Sequence, residues 1–215
     1  MAAIKAYRPA VNSLSTSQVL QEPYTFAKAR VVAREMADGV ALDLVDKRLV
    51  ADQLTLTVGY DTECLTRREV AERYHGEVVT DWYGRSVPRP AHGTARLPEP
   101  TSSSSVIIDA IVSLFERLVD PLLLVRRITI GTYHVVPEAE AAKPQPRQLD
   151  LFTDYEAAER RRREEERLAK RERTIQEVTL SIKKKFGKNA LLRGTDFDEG
   201  ATARERNRQI GGHHE

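Results

Sequence analysis

Residues Gln53 to Tyr60, read QLTLTVGY, alternate strictly between polar or small and apolar side chains. Only an extended strand with one buried face satisfies that period: Leu54, Leu56, Val58 and Tyr60 point one way, Gln53, Thr55, Thr57 and Gly59 the other. The stretch before it has a different period. Phe26, Ala29, Val32, Ala33, Met36, Val40 and Leu44 recur at helical spacing and predict a helix from Thr25 to about Arg48. A two-residue period beside a 3.6-residue period implies a half-buried sheet with helices laid on one side.

The rest of the first 137 residues follows the same grammar. Ser13 to Gln21 is a strand candidate. Residues 61–92 read as irregular, with a short helix near Arg67 to Tyr74. Gly93 to Pro98 is a short strand, expected to end at Pro98 and Pro100. Thr101 and the four serines after it are capping material for a second helix. That helix carries Ile107, Ile111, Leu114, Phe115 and Leu118 on one stripe and closes at Asp120-Pro121. Leu123 to Val136 is a further strand, with Ile128 and Ile130 inward and Arg127, Thr129 and Tyr133 outward. The order is β-α-β, a loop, then β-α-β: an α+β fold with two helices on one face of a four-stranded sheet. The uncovered face would carry Gln53, Thr55, Thr57, Thr94, Arg96, Arg127, Thr129 and Tyr133. No acid stands among these eight, and hydroxyls and arginines donate to phosphate oxygens. A merely solvated sheet face is the plainer reading, since threonine is common in strands.

Composition narrows the function classes. The 34 Lys and Arg against 32 Asp and Glu leave a net charge of +2, so only local placement can make a nucleic-acid binder. The single cysteine, Cys64, rules out an internal disulfide, argues against a cysteine-based zinc site and fits a reducing cytoplasm. It also lacks an evident base to activate it. No apolar run is long enough for a membrane span. Residues 138–147, EAEAAKPQPR, read as a linker. Glu156 to Arg173 holds 14 charged residues in 18 and reads as a solvated helix, with Glu156/Arg160, Glu159/Arg163 and Glu166/Lys170 paired four apart. Ile175, Val178, Ile182 and Phe186 then form an apolar stripe that needs something to pack on, and Gly187 can end the helix. Residues 188–215 are polar and glycine-bearing and are expected to lack a core of their own. His213 and His214 are adjacent, a poor spacing for chelation. Asp81-Trp82-Tyr83 offers rings that can stack on bases, although an aromatic pair in a long loop more often packs onto its own domain.

Several segments resemble the little-finger domain of the Y-family translesion DNA polymerases. They are Ser13-Leu-Ser-Thr-Ser-Gln-Val-Leu20, the long helix after it, Leu54 to Tyr60, Gly93-Thr-Ala-Arg-Leu97, the Thr101-capped helix and Val125-Arg-Arg-Ile-Thr-Ile130. The chain also resembles the UmuC/DinB-like ultraviolet-damage repair polymerases of Gram-positive bacteria, whose ends resemble Lys188-Asn-Ala-Leu-Leu-Arg193 and Glu205-Arg-Asn-Arg-Gln-Ile-Gly-Gly-His213. The resemblance implies a domain that grips template-primer DNA across its phosphates. Position by position, it implies DNA contacts from Ser15, Ser17 and Gln18 on the first strand, Arg96 on the third, and Arg126 and Arg127 on the last. Alternation puts Arg126 on the side of Ile128, where it can instead snorkel at the sheet edge.

In that family nucleotidyl transfer belongs to an N-terminal palm with two Mg2+ ions, and no palm is legible here. The expectation is therefore a non-catalytic C-terminal part, whether an excised piece, a split-gene product or a truncated frame, with no cofactor of its own and a separate catalytic chain as one partner. Gln148-Leu149-Asp150-Leu151-Phe152 resembles the bacterial sliding-clamp-binding pentapeptide, with Gln148 for a polar pocket and Leu151 and Phe152 for an apolar cleft. The alternative for these residues is a helix-start staple. The alternative for the whole chain is an adaptor that binds the clamp with no DNA-dependent role.

Overall fold

The computed structural model of the chain describes residues 13–141 and 155–208. Four long strands form one antiparallel sheet: β1 (Leu14–Tyr24), β2 (Leu49–Tyr60), β5 (Ala91–Thr101) and β6 (Val125–Tyr133). Their spatial order is β1-β6-β2-β5, so the last strand in sequence sits inside the sheet. Two helices, α1 (Phe26–Asp46) and α3 (Ser104–Leu118), lie side by side on one face. This is the expected α+β fold.

The core sits between these layers. Leu54, Leu56 and Val58 of β2 and Ile128 and Ile130 of β6 are fully buried, as are Val32, Ala33 and Leu44 of α1 and Ile107, Ile111 and Phe115 of α3. The rings of Phe26 and Phe115 meet at 5.1 Å between the helices. Ser103 caps α3 by accepting from Val106 N at 3.3 Å. Cys64 belongs to the same core, where Leu124 N donates to its Sγ at 3.1 Å and burial pushes the thiol up.

Three details differ from the sequence reading. Strand β5 runs through Pro98 and Pro100 rather than ending there. It is an edge strand, and its register against β2 shifts between the Gln53–Arg96 and Ala51–Thr101 pairs, so the prolines fall where no ladder bond is lost. The stretch 61–92 is more ordered than it reads. It holds a 3-10 turn (Thr62–Thr66), α2 (Arg68–Arg73) and a hairpin of β3 (Val78–Thr80) and β4 (Ser86–Pro88). Finally, the expected linker begins as structure. His134 has φ +52 and breaks the last strand, after which β7 (Val136–Pro137) pairs with Leu49 and Val50, and Glu138–Ala141 forms α4.

Beyond the sheet, α5 (Tyr155–Phe186) is a single helix, and the chain after it folds back. The surface of α5 that meets the domain is polar. Gln176 is buried and donates to Ser102 O at 2.9 Å and Ser104 Oγ at 3.0 Å. Glu172 accepts from Ser103 Oγ at 2.6 Å and Ser105 N at 2.8 Å, joining the α3 cap. The apolar stripe does not pack on the domain as a stripe: Ile175, Val178 and Phe186 are exposed. Buried hydroxyls and carbonyls at the start of α3 need polar partners more than the core needs another leucine. In the charged half, Glu159 pairs with Arg163 as expected, whereas Glu166 pairs with Arg162.

Residues 188–208 also depart from the expectation of a poorly structured tail. They have no core of their own and dock on α1 chiefly through polar contacts. A 3-10 turn (Gly194–Phe197) and α6 (Ala203–Arg206) lie along α1. Arg193 bonds Asp38, Lys28 pairs with Glu199 at 2.9 Å, and buried Glu35 accepts from Thr202 N at 2.9 Å and Ala203 N at 3.1 Å.

Candidate nucleic-acid interface

The face of the sheet opposite the helices is open, and register lines its side chains into rows. Ser15, Gly131, Thr55 and Thr94 form one row; Ser17, Thr129, Thr57 and His92 form the next. Toward one end lies the row of Val19, Arg127 and Gly59, and toward the other that of Tyr133, Gln53 and Arg96. The rows are tied internally. Ser17 Oγ lies 2.8 Å from Thr129 Oγ1, and Thr57 Oγ1 lies 2.8 Å from His92 Nδ1. Gly131 keeps the middle of the face low. A Cβ there would come within 2.7 Å of Thr55 Oγ1 and 3.3 Å of the Tyr133 ring.

The electrostatics of the face are one-sided. None of these row residues is an acid, and neither Arg96 nor Arg127 forms an ion pair with a described residue. The acids at the two ends of β2 are engaged. Asp52 lies 3.0 Å from His134 Nδ1, and Asp61 lies 3.5 Å from Arg126 Nε. Six residues separate the Arg96 and Arg127 rows along β2, about 20 Å at ~3.4 Å per residue, and two inter-strand steps of ~4.8 Å separate them sideways. Two unengaged guanidiniums at that spacing stand farther apart than either groove of B-DNA is wide, about 12 Å and about 6 Å. Two cations this far apart can engage two separate anionic groups.

The six DNA-contact residues implied by the resemblance are therefore divided. Ser15, Ser17, Arg96 and Arg127 share the open face. Gln18 does not: it lies on the helix side of β1, bonded to Thr202 Oγ1 at 2.9 Å and Arg206 Nη1 at 2.8 Å. Arg126 sits in a bulge, where Gly59 pairs with Arg127 but Tyr60 pairs with Val125. The bulge breaks the alternation that would have turned Arg126 inward, and its Nη1 donates to Gln21 O at 2.9 Å. Residues Gln148, Leu149, Asp150, Leu151 and Phe152 lie outside the described residues, as do His213 and His214.

A model of the C-terminal domain of the impB/mucB/samB family matches residues 11–151. The chain belongs to this family. It is thus a C-terminal region of the Y-family polymerase kind, as the sequence resemblance has it. Among solved structures, one similar chain is the little finger domain of a "Complex of beta-clamp processivity factor and little finger domain of PolIV". It is 10% identical, with a TM-score of 0.37, over 66% of this chain and 100% of that one. No curated protein matches the chain.

The impB/mucB/samB match stops at residue 151, whereas structure continues through α5 and the returning tail to residue 208. In this family member the sheet's helix side is consequently covered twice, by α1 and α3 and then by residues of the tail. Gln18 and Glu35 are spent on that second layer. Among the described residues no group of three or more His, Cys, Asp or Glu is placed to hold a metal ion. No helix among them is long and apolar enough to cross a membrane.

Sequence reasoning missed one element beside this face. The β3–β4 hairpin overhangs its Arg127 end and forms the wall of a groove of about 890 Å³ lined by Val19, Gly59, Trp82, Tyr83, Arg126 and Arg127, among others. Trp82 is 96% exposed and Tyr83 79% exposed. The reading that this aromatic pair packs onto its own domain does not hold. The turn signal Asp81-x-x-Gly84 between short valine-bearing stretches was the available clue.

Proposed function

We propose that the chain is the non-catalytic C-terminal part of a translesion DNA polymerase in DNA repair. It grips template-primer DNA by its backbone and is tethered to the replication sliding clamp. The observation that carries this reading is the open sheet face: rows of hydroxyls, no carboxylate among the row residues, and Arg96 and Arg127 unengaged by any described residue at opposite corners. Membership of the impB/mucB/samB family supports it.

The grip is electrostatic. Each phosphate neutralised by an arginine releases counterions, so affinity falls as salt rises. Ser15, Ser17, Thr55 and Thr94 add hydroxyl donors that orient the duplex without reading its sequence. The tether is Gln148-Leu149-Asp150-Leu151-Phe152. Burying Leu151 and Phe152 in an apolar cleft is worth roughly 1.5–3 kcal/mol each. A chain held at both DNA and clamp raises the local concentration of each for the other. Catalysis belongs to palm, fingers and thumb supplied by the same polymerase or by a separate catalytic chain.

The test is a salt titration of template-primer binding by fluorescence anisotropy, run beside binding to the purified clamp. Salt-dependent DNA binding together with clamp association is the expected result. Clamp binding that is indifferent to DNA, with no duplex affinity at low salt, would instead make the chain a clamp adaptor.

A further inference from the structure

We infer that the groove between the β3–β4 hairpin and the Arg127 end of the sheet is a binding site for an unpaired nucleotide, with Trp82 as the stacking platform for its base and Arg127 as the partner of its phosphate. The use of this groove for DNA rests on the proposed DNA-binding role of the sheet.

The hairpin holds Trp82 out by construction. Gly84 N donates to Asp81 O at 3.0 Å and Asp81 N donates to Arg85 O at 2.8 Å, while Gly84 adopts φ +77. This is a three-residue loop built on a type I turn with a left-handed glycine. Asp81 locks it from within, because its Oδ1 accepts from Tyr83 N and Arg85 N at 2.9 Å each, and its Oδ2 accepts from Arg85 Nε at 2.8 Å. Val87 is buried and anchors the base of the hairpin, which packs on the 3-10 turn after β2. The turn fixes the backbone that carries the exposed indole, so a ligand has only the Trp82 side chain left to order.

Chemistry selects the ligand. Arg85 lies over the Tyr83 ring at 5.1 Å, so Tyr83 already has a partner and Trp82 offers the free aromatic face. The acids lining the groove are compensated, Asp61 by Arg126 and Asp81 by Arg85. Arg127 is left as the uncompensated charge on the floor. An aromatic wall over a cationic floor is the arrangement that holds single-stranded nucleic acid, with stacking indifferent to which base is present. The floor is also continuous with the open face through Thr57 and Thr129, so a strand leaving a duplex on that face enters the groove.

Trp82 is the only tryptophan of the 215 residues, so its fluorescence reports on this site alone. Three ligands separate the outcomes: a blunt duplex, the same duplex with a short oligothymidine overhang, and that overhang made of abasic sugar-phosphate. The thymidine overhang should quench Trp82 and bind about tenfold more tightly than the blunt duplex, roughly 1.4 kcal/mol. The abasic overhang keeps its phosphates for Arg127 but should leave Trp82 unquenched and bind less tightly than the thymidine overhang. Trp82→Ala should lower the thymidine overhang to the level of the abasic one and leave blunt-duplex affinity unchanged, and Trp82→Phe should keep most of the difference. An abasic overhang as good as thymidine, equal loss on all three ligands in Trp82→Ala, or quenching by the clamp protein in place of the overhang would each overturn the inference. Overhang quenching without any blunt-duplex binding would sink the sheet reading and leave this one standing.

Discussion

Arg193 holds Asp38 through two hydrogen bonds, Nε to Oδ2 at 2.8 Å and Nη2 to Oδ1 at 2.6 Å, across 155 residues of sequence. Asp38 is mostly shielded while Arg193 is half exposed. The bond therefore positions the tail more than it stabilises the domain, since exposed ion pairs contribute only about 0–1 kcal/mol. Asp38→Ala should leave the melting transition of the domain nearly in place and speed hydrogen exchange in residues 193–206. Unchanged exchange there would mean that the tail is held by other contacts alone.

The stronger tie is Glu35. Replacing it with alanine leaves Thr202 N and Ala203 N without their acceptor, at a cost of about 1–3 kcal/mol. Burial raises the Glu35 carboxyl above its ordinary value, only partly offset by bonds from Thr202 and Ala203 and by the Arg206 charge. A carboxyl raised in the docked state binds its proton more tightly there than in the released tail. Its contribution to docking is thus most favourable below the ordinary carboxylate range and weakens as pH climbs from that value to the raised one, then levels off. Hydrogen exchange at residues 202–206, corrected for intrinsic rates, should follow this course in the natural chain and lose it in Glu35→Gln.

The arginines of the sheet should separate in a salt titration. Arg96→Ala and Arg127→Ala should each lower duplex affinity and reduce the salt slope by about 1. Arg126→Ala should have a smaller effect on the slope, because that guanidinium already serves Asp61 and Gln21. Equal effects from all three would mean that Arg126 leaves its bulge to meet DNA.

The clamp tether should be separable from the grip. Leu151→Ala with Phe152→Ala should weaken clamp association by roughly a hundredfold or more, given the apolar burial that both side chains supply. Duplex affinity measured without clamp should not change. A parallel loss of DNA binding would show that the pentapeptide serves the domain rather than a partner.

Docking of α5 should depend on its polar face. Gln176→Leu removes the donor to Ser102 O and Ser104 Oγ and should destabilise the α5 contact by about 1–3 kcal/mol, read as faster exchange in residues 172–184. Ile175→Ser should be nearly neutral, because that side chain is exposed.

Local pattern determined much of this protein. The alternation at Gln53–Tyr60 and the helical stripes of α1 and α3 specify which faces are buried, because side-chain direction follows the backbone period within one element. The open-face positions of Thr55, Arg96, Arg127 and Thr129 were legible for that reason, whereas Ser15 and Ser17 were implied only by the family resemblance. Tertiary structure alone decided the rest. The interior position of β6, the bulge that turns Arg126 aside, the capture of Gln18 by Thr202 and Arg206, and the polar docking of α5 all depend on partners more than 70 residues away or on register between strands. A period states which way a side chain points, but it does not state what it will meet. The tail shows this most clearly: its polar residues build no core of their own, and they are held where Glu35 and Asp38 of a distant helix accept their hydrogen bonds.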